Sequence, residues 1–390
     1  MDKLLDGLNR AQRLAVTSPS LALQVLAPPG SGKTKTLTAR VSYLITERGL
    51  QPWNIIVCTF TVKAAKEMKE RIKGLVGDGL EKKLILGTFH SVARRFLVSY
   101  GNLIGIEKNF GIADMSDSKA IITRIIKRQG FSIEPGAAGA RISSLKAKSM
   151  SAEQYAITRK AAEQEFSAVY SEYEEALRTS NLLDYDDLLL RCAQLLREHP
   201  QCVSNIEAVL IDEFQDTNSV QFELMCLFSR FKKNVTIVGD PDQSIYGWRN
   251  AEIKNLERMK KRFPGTDVIH LEENYRSAGA ILQSAQKVIE QDESRPSKAL
   301  KPTFGIGDRP VLRKLPTADA EAKWLVSEIR RTQALSADLL KFNDFAVLLR
   351  SAAVSRHIES APSTSQIITM HCCVSSTYQL AVLAMSQSKA

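Results

Sequence analysis

Two short stretches hold residues whose types and spacing could do chemistry together. The first, APPGSGKT at 27–34, places two glycines, a lysine and a threonine within one turn-like segment. Gly30 and Gly32 allow the backbone to aim its N–H groups at phosphate oxygens. A helix beginning near Lys33 would add the partial positive charge of its N-terminus. In this phosphate-loop pattern Lys33 holds the β- and γ-phosphates of a nucleotide and Thr34 a magnesium ion; Pro28, Pro29 and Ser31 complete the loop, and Ala27 replaces its first glycine. The second stretch, VLIDEFQDTN at 209–218, is an apolar run that ends in Asp212, Glu213, Gln215 and Asp216. A polar strand end entering solvent would read the same way. Beside a phosphate loop, however, Asp212 is the acid that holds magnesium, and Glu213 can polarise an attacking water as a general base. The two stretches together point to nucleoside triphosphate hydrolysis. They give the reaction class and not what the hydrolysis drives.

Such groups need a scaffold that brings strand ends together. Seven apolar runs read as strands: 21–27, 54–60, 83–89, 207–213, 234–240, 267–273 and 343–350. They are apolar on both faces, as parallel strands covered by helices are. Helical patterns lie between several of them, at 34–49 and 63–76 for example. The alternation predicts an α/β fold with a mostly parallel sheet. Residues 113–181 break the rhythm and read as a helical insertion, with a bend at EPGAAGA, 134–140. A polar stretch with two prolines, 291–303, reads as a loop between domains.

The composition sets bounds on partners and compartment. The chain has 390 residues, 25% of them charged, and a net charge of +10. That balance favours a polyanion such as nucleic acid. The charge is uneven: nine Lys or Arg stand against two acids over 119–160, and five acids without a base follow between Glu163 and Glu175. Each block could equally be a solvated helical face. No run of eighteen apolar residues occurs, and the first residues lack the apolar core of a secretory signal, so no membrane partner is expected. Cysteines 58, 192, 202, 226, 372 and 373 follow no disulfide or zinc spacing and are read as reduced thiols.

Eight segments occur in a fixed order: LNRAQRLAV (8–16), APPGSGKT (27–34), FTVKAAKEM (60–68), GTFHSVARRFL (87–97), LDYDDLL (183–189), VLIDEFQDTN (209–218), VGDPDQSIYGWRNA (238–251) and LEENYRS (271–277). Together they resemble the superfamily 1 DNA helicases of the UvrD/Rep type over residues 4 to about 361. The loop VLAPPGSGKTKTLTARVSYLI is most similar to the fungal anti-recombinase subgroup. The resemblance implies a P-loop α/β protein of RecA-like type that uses ATP and Mg2+ to move 3′ to 5′ along single-stranded DNA and open single-/double-strand junctions in repair and recombination. Its first RecA-like domain would cover 1–112 and 182–290, with the insertion at 113–181, and an incomplete second RecA-like domain would cover 291–361. Gln12 would read the adenine edge, since a carboxamide donates and accepts at once. Tyr275 would stack on the base and Arg276 would clamp the γ-phosphate. Gln215 and Gln243 would sense that phosphate and link it to the DNA path. Phe60, Tyr246 and Trp248 would stack on bases, and Thr88, His90 and Arg249 would meet the backbone. Taken singly, Gln12 could instead be a helix-surface amide, Phe60, Tyr246 and Tyr275 core aromatics, and Arg276 a surface ion pair. His90 has no second ligand at metal spacing.

The chain departs from the family pattern in places. Val62 stands where the family usually has Asn, and Lys35 where many members have Arg. After about residue 361 the family's later motifs, among them a second arginine for the γ-phosphate, are not found. Residues 362–390 contain no Asp, Glu or Arg and are expected to be a disordered tail foreign to the family. Two accounts stay open: an ATP-dependent helicase whose encoded end is aberrant, or a short ATP- and DNA-binding module without helicase activity. The fungal likeness implies the nucleus; a bacterial source would imply the cytoplasm.

Overall fold

The computed structural model describes residues 2–77, 79–158, 163–244, 252, 254–292, 300–337, 339–349 and 358. The chain divides into two compact units, 1–309 and 310–390. The first unit is built on six parallel strands: β1 Ala22–Leu26, β2 Ile55–Thr59, β3 Ile85–Thr88, β6 Ala208–Ile211, β7 Val235–Gly239 and β8 Asp267–His270, in the order β3-β2-β6-β7-β1-β8. Two short parallel pairs lie apart from it: β4 Gly111–Ala113 with β5 Leu182–Asp184, and β9 Glu273–Asn274 with β10 Lys301–Pro302. The helices of this unit are α1 Asp2–Leu5, α2 Arg10–Thr17, α3 Lys33–Thr46, α4 Val62–Val76, α5 Leu80–Lys83, α6 Phe89–Tyr100, α7 Met115–Gln129, α8 Pro135–Lys146, α9 Ala152–Thr158, α10 Gln164–Thr179, α11 Tyr185–Glu198, α12 Ser219–Phe228, α13 Lys254–Arg262 and α14 Gly279–Ile289.

The period of two along each strand separates two cores. Ile56 and Cys58 of β2, Val209 and Ile211 of β6, and Val235 and Ile237 of β7 enter one core, together with Phe96, Leu189, Leu196, Leu224 and Phe228. Their neighbours Ile55, Val57, Ala208, Leu210 and Val238 enter the other, with Leu37, Val41, Met68 and Ile72. Both faces are therefore covered, which is why these strands read as continuous apolar runs. Parallel strands also place all their carboxyl ends on one edge. The residues after β1, β6 and β7, which are neighbours in the sheet, must converge there.

The insertion α7–α10 has its own core of Ile122, Ile126, Ile142, Tyr155, Phe166, Tyr170 and Tyr173. It leaves and re-enters the first unit through the β4–β5 pair, where Gly111 lies opposite Leu182. Its two charge blocks pair with each other. Arg128 meets Glu172 and Arg141 meets Glu163. Lys146 Nζ, 1% exposed, lies 2.6 Å from Glu174, 2.7 Å from Asp184 and 2.8 Å from Asp187. Within 119–160, Arg128, Arg141 and Lys146 serve the insertion's internal ion pairs, while Lys119, Arg124, Lys127 and Lys148 are exposed.

The second unit contains α15, Ala318–Leu335, whose Ala322, Leu325, Val326 and Ile329 pack with Ile358 and against Phe342, Phe345, Val347 and Leu349. The seventh expected strand, 343–350, is not one among the described residues. A 3-10 turn covers Phe342–Asp344, and 345–349 carry no strand pairing. The alternating apolar residues 345, 347 and 349 face α15, so the pattern records packing on a helix rather than a place in a ladder. No described helix is long and apolar enough to cross a membrane. Cys58, Cys192, Cys202 and Cys226 are free thiols, and Cys372 and Cys373 lie outside the described residues, as does the whole segment 362–390.

Candidate functional site

The loop after β1 is shaped by positive backbone angles that only glycine adopts freely. Gly30 has φ +70° and Gly32 φ +85°. A side chain at either would collide: a Cβ on Gly30 would sit 2.5 Å from Asn274 Nδ2, and one on Gly32 2.6 Å from Gln12 Nε2. The carbonyl side of the loop is tied down. Ser31 donates from its N and Oγ to the Pro28 carbonyl, at 3.3 and 2.7 Å. Asn274 Nδ2 donates to the Pro29 carbonyl at 2.6 Å, and Tyr275 N to that of Gly30 at 2.9 Å. Ala27, fully buried, continues the β1–β7 ladder through its N–H to the Gly239 carbonyl. The amide side is free: the N–H groups of Gly30, Gly32, Lys33 and Thr34 have no acceptor among the described residues. A helix N-terminus with free amides is an anion site.

Lys33 opens α3, and its Nζ lies 3.3 Å from Glu213 Oε2 with only 10% of the side chain exposed. It forms no hydrogen bond of good geometry there, so a buried ammonium is left needing an acceptor. Glu213 stands one residue past Asp212 in a left-handed conformation, φ +49° and ψ +45°. A non-glycine residue held there is strained, and such strain collects at functional sites. The turn lets the Glu213 N–H reach Asp212 Oδ1 at 3.0 Å. Burial, with the Glu213 charge beside it, pushes the Asp212 carboxyl up to about 7. The same two causes raise Asp216 to about 7.

Gln215 is buried and uses its whole amide. Its Nε2 donates to Glu213 Oε2 at 2.9 Å and towards Asp216 Oδ2 at 3.4 Å; its Oε1 accepts from the Asp240 N–H at 3.0 Å. Gln243 Nε2 donates to Asp240 Oδ2 at 2.8 Å, and Ser244 Oγ to the Gln215 carbonyl at 3.2 Å. The ends of β6 and β7 are thus one hydrogen-bonded unit.

The adenine and γ-phosphate candidates surround the loop. Gln12 is 2% exposed; its Nε2 donates to the Ser31 carbonyl at 2.9 Å and its Oε1 accepts from Asn9 N at 3.0 Å in a capping box. It is therefore no helix-surface amide, and one donor hydrogen and one acceptor lone pair stay uncommitted. Tyr275 is 43% exposed, which excludes a core aromatic; its hydroxyl accepts from Asn9 Nδ2 at 2.9 Å and donates to Glu273 at 2.5 Å. Arg276 is exposed, carries no ion pair in the described structure, and has its Cβ beside Gly30. Lys35 points away and donates to the Gly7 carbonyl at 2.7 Å. Val62 is exposed at the start of α4, behind the Thr61 cap.

Two protein groups fit a magnesium ion. The Thr34 hydroxyl takes part in no hydrogen bond among the described residues, and Asp212 has one carboxyl oxygen without a partner. No cluster of three or more His, Cys, Asp or Glu side chains at metal distance occurs among the described residues. Mg2+ is commonly held by one or two protein groups plus phosphate oxygens and water, and this donor set suits that use.

Of the DNA candidates, Phe60 follows β2 and is half-buried, and Thr88 ends β3, both on the edge that carries the loop. The Thr88 hydroxyl is occupied as the cap of α6, accepting from Ser91 N at 3.3 Å. Burial lowers the pKa of His90, whose ring meets that of Tyr185 edge-on at 6.0 Å. Tyr246, Trp248 and Arg249 lie outside the described residues. Sequence reasoning missed three residues. Asn274 is fully buried and binds both the loop and the Arg276 and Ser277 amides. Asp240 joins both glutamines. Tyr185, 50% exposed beside His90, presents an aromatic ring to solvent. Each lay in a motif already noted, but only the fold shows what it touches.

Comparison with known proteins agrees with this chemistry. Residues 8–264 match the UvrD/REP helicase N-terminal domain, and residues 269–379 the UvrD-like helicase C-terminal domain, past the position 361 at which the resemblance was expected to stop. The chain is similar to the ATP-dependent DNA helicase srs2 of Schizosaccharomyces pombe, 42% identical over 382 residues, 92% of this chain and 43% of that protein. It is similar to the ATP-dependent DNA helicase PcrA of Staphylococcus aureus, 37% identical over 370 residues, 92% and 50% of the two chains. For PcrA of Leuconostoc citreum the identity is 35% over 369 residues, 93% and 49%. The chain spans about half the length of the curated relatives it matches.

Proposed function

The chain belongs to the UvrD/Rep family of helicases, and from that premise we propose that it hydrolyses ATP to drive 3′ to 5′ movement along single-stranded DNA and to open junctions with duplex. The observation that carries the proposal is the buried Lys33 ammonium, short of a hydrogen bond, at a helix start whose amides are free and within reach of Glu213. A triphosphate satisfies all of these donors at once. Its arrival competes for Lys33 and releases the Glu213 carboxylate to take the proton of the attacking water. Gln215, bonded to that carboxylate, holds it in place and joins it to Asp240, Gln243 and Ser244, so a change at the base is felt at the start of the segment that holds Tyr246 and Trp248. Thr34 and Asp212 would hold Mg2+, which supplies positive charge against the phosphate oxygens and favours the ionised form of Asp212. Tyr275 and the uncommitted donor and acceptor of Gln12 face the adenine, and Arg276 the γ-phosphate.

Phe60, Tyr185 and His90, with Trp248, Tyr246, Thr88 and Arg249, are the proposed strand path, in which aromatic faces stack on bases without sequence preference. Residues 1–112 and 182–290 form the first RecA-like domain in this proposal and 113–181 its helical insertion. The likeness to a fungal relative supports action in the nucleus, in repair and recombination.

Strand separation on a short duplex with a 3′ tail tests the proposal. ATP-dependent release from the 3′-tailed duplex and little from a 5′-tailed one is expected. Release from the 5′ tail, or release without ATP, would contradict the direction or the coupling. ATP hydrolysis and DNA binding without release would favour the binding module.

A further inference from the structure

Arg40 lies outside the eight ordered segments, yet it is among the largest side chains the fold buries completely, at 2% exposure. Among the described residues it has no carboxylate partner. Its Nε donates to Thr236 Oγ1 at 2.8 Å; its Nη1 donates to the carbonyls of Ala15, Val16 and Ser18 at 3.1, 3.0 and 3.1 Å; its Nη2 reaches the Ser20 carbonyl at 3.4 Å. Burying a cation without a counter-ion is costly, and burial lowers its pKa to about 10, which still leaves it protonated at neutral pH. A fold keeps such a group where its hydrogen bonds fix something. Here they fix the end of α2. That helix has no glycine and no backbone cap at its C-terminus, where Ser18 is extended, and the guanidinium takes up the free carbonyls at the negative end of the helix.

The opposite end of α2 touches the nucleotide loop. Gln12 binds the Ser31 carbonyl, and the Asn9 cap binds the Tyr275 hydroxyl. Arg40 itself lies on α3, whose first residues are Lys33 and Thr34, and Thr236 lies on β7, which leads to Asp240. One side chain therefore ties the helix that carries Gln12 to the helix and strand that carry the phosphate-binding groups. We infer that Arg40 is a positioning residue for the base end of the nucleotide: it sets α2, and through it Gln12 and Tyr275, at a fixed place relative to the phosphate loop. The inference rests on the reading that Gln12 and Tyr275 take the adenine.

The test is calorimetric binding of ATP and of inorganic tripolyphosphate, with Mg2+, to the full chain. Tripolyphosphate reports the phosphate loop alone. Arg40→Met is expected to weaken ATP about tenfold, a loss of about 1.4 kcal/mol, while tripolyphosphate stays nearly unchanged. Arg40→Lys keeps the charge with fewer directed donors and is expected to weaken ATP by about threefold, again with tripolyphosphate unchanged. If Arg40→Met does not fold, Arg40→Lys decides. Equal weakening of both ligands, or no change in either, overturns the inference. Gln12→Ala and Tyr275→Ala separate the two levels. If they lose ATP selectively and the Arg40 variants do not, the inference fails and the adenine reading stands. If they do not lose ATP selectively, the adenine reading itself fails and takes the inference with it.

Discussion

At the residue scale the account turns on Glu213 and the groups that aim it. Replacing it with Gln keeps its volume and its bond from Gln215 but removes the base. Glu213→Gln is expected to bind ATP about as well as the parent and to lose about 10²–10⁴-fold in turnover, the usual worth of a general base; single-turnover hydrolysis measures this. Gly32→Ala should abolish tight ATP binding, since φ +85° strains any side chain and the new methyl meets Gln12 Nε2 at 2.6 Å. A titration showing parent-like affinity would count against the loop geometry. Lys33, Thr34, Asp212 and Glu213 were legible because their chemistry is carried by spacing within a few residues. Arg40, Asn274 and Asp240 were not. Their partners are brought to them by strand order, as Asn274 is to Pro29 and Arg40 to Thr236.

At the element scale the question is what fixes the insertion to its host. Asp184 and Asp187 cap α11 reciprocally and also hold Lys146 of α8, while the Tyr173 hydroxyl donates to Asp184 at 3.0 Å. Burial, against the opposing pull of Lys146, keeps Asp187 above the usual carboxylate range, with Asp184 and Glu174 adding to the rise. Burial would lower Lys146, but Asp187, Asp184 and Glu174 raise it well above its ordinary value, so it stays charged throughout the neutral range. A carboxyl raised by folding binds its proton more tightly in the folded state. Its contribution is full below its ordinary value and is lost as pH rises through the folded one. Lys146→Met leaves Asp184 and Asp187 crowded without a cation, with Glu174 beside them held only by Arg191 at 3.8 Å, and removing one partner of a buried pair costs about 3–5 kcal/mol. The loss in melting temperature should therefore be larger at pH 8 than at pH 5.5. An equal loss at both would contradict this account of the cluster. Six strands and the helices between them were visible in the sequence because burial on both faces writes a continuous apolar run. The run at 343–350 carried the same signal for another reason, its packing on α15.

At the scale of the whole molecule, net charge counts for less than where it is paired. The chain carries +10, but three of the nine bases at 119–160, Arg128, Arg141 and Lys146, are paired with acids between Glu163 and Asp187. Lys119, Arg124, Lys127 and Lys148 are exposed cations of that block that form no salt bridge among the described residues. Reversing them to Glu should weaken DNA binding and flatten its dependence on salt, since each phosphate contact releases counterions. Reversing Arg128 and Arg141 should act mainly through stability. Unchanged salt slopes in the first set would show that the insertion does not meet DNA. The sequence showed the two charge blocks but not their pairing, because α7, α8 and α10 meet only in the folded insertion. The central claim is that the groups around Lys33 and Glu213 form a working triphosphatase answering to DNA. It is tested most directly by ATP hydrolysis with and without single-stranded DNA, beside a Lys33→Ala control. Turnover that rises with DNA and vanishes in the control is the predicted result. Turnover that persists in Lys33→Ala, or that DNA leaves unchanged, would contradict it.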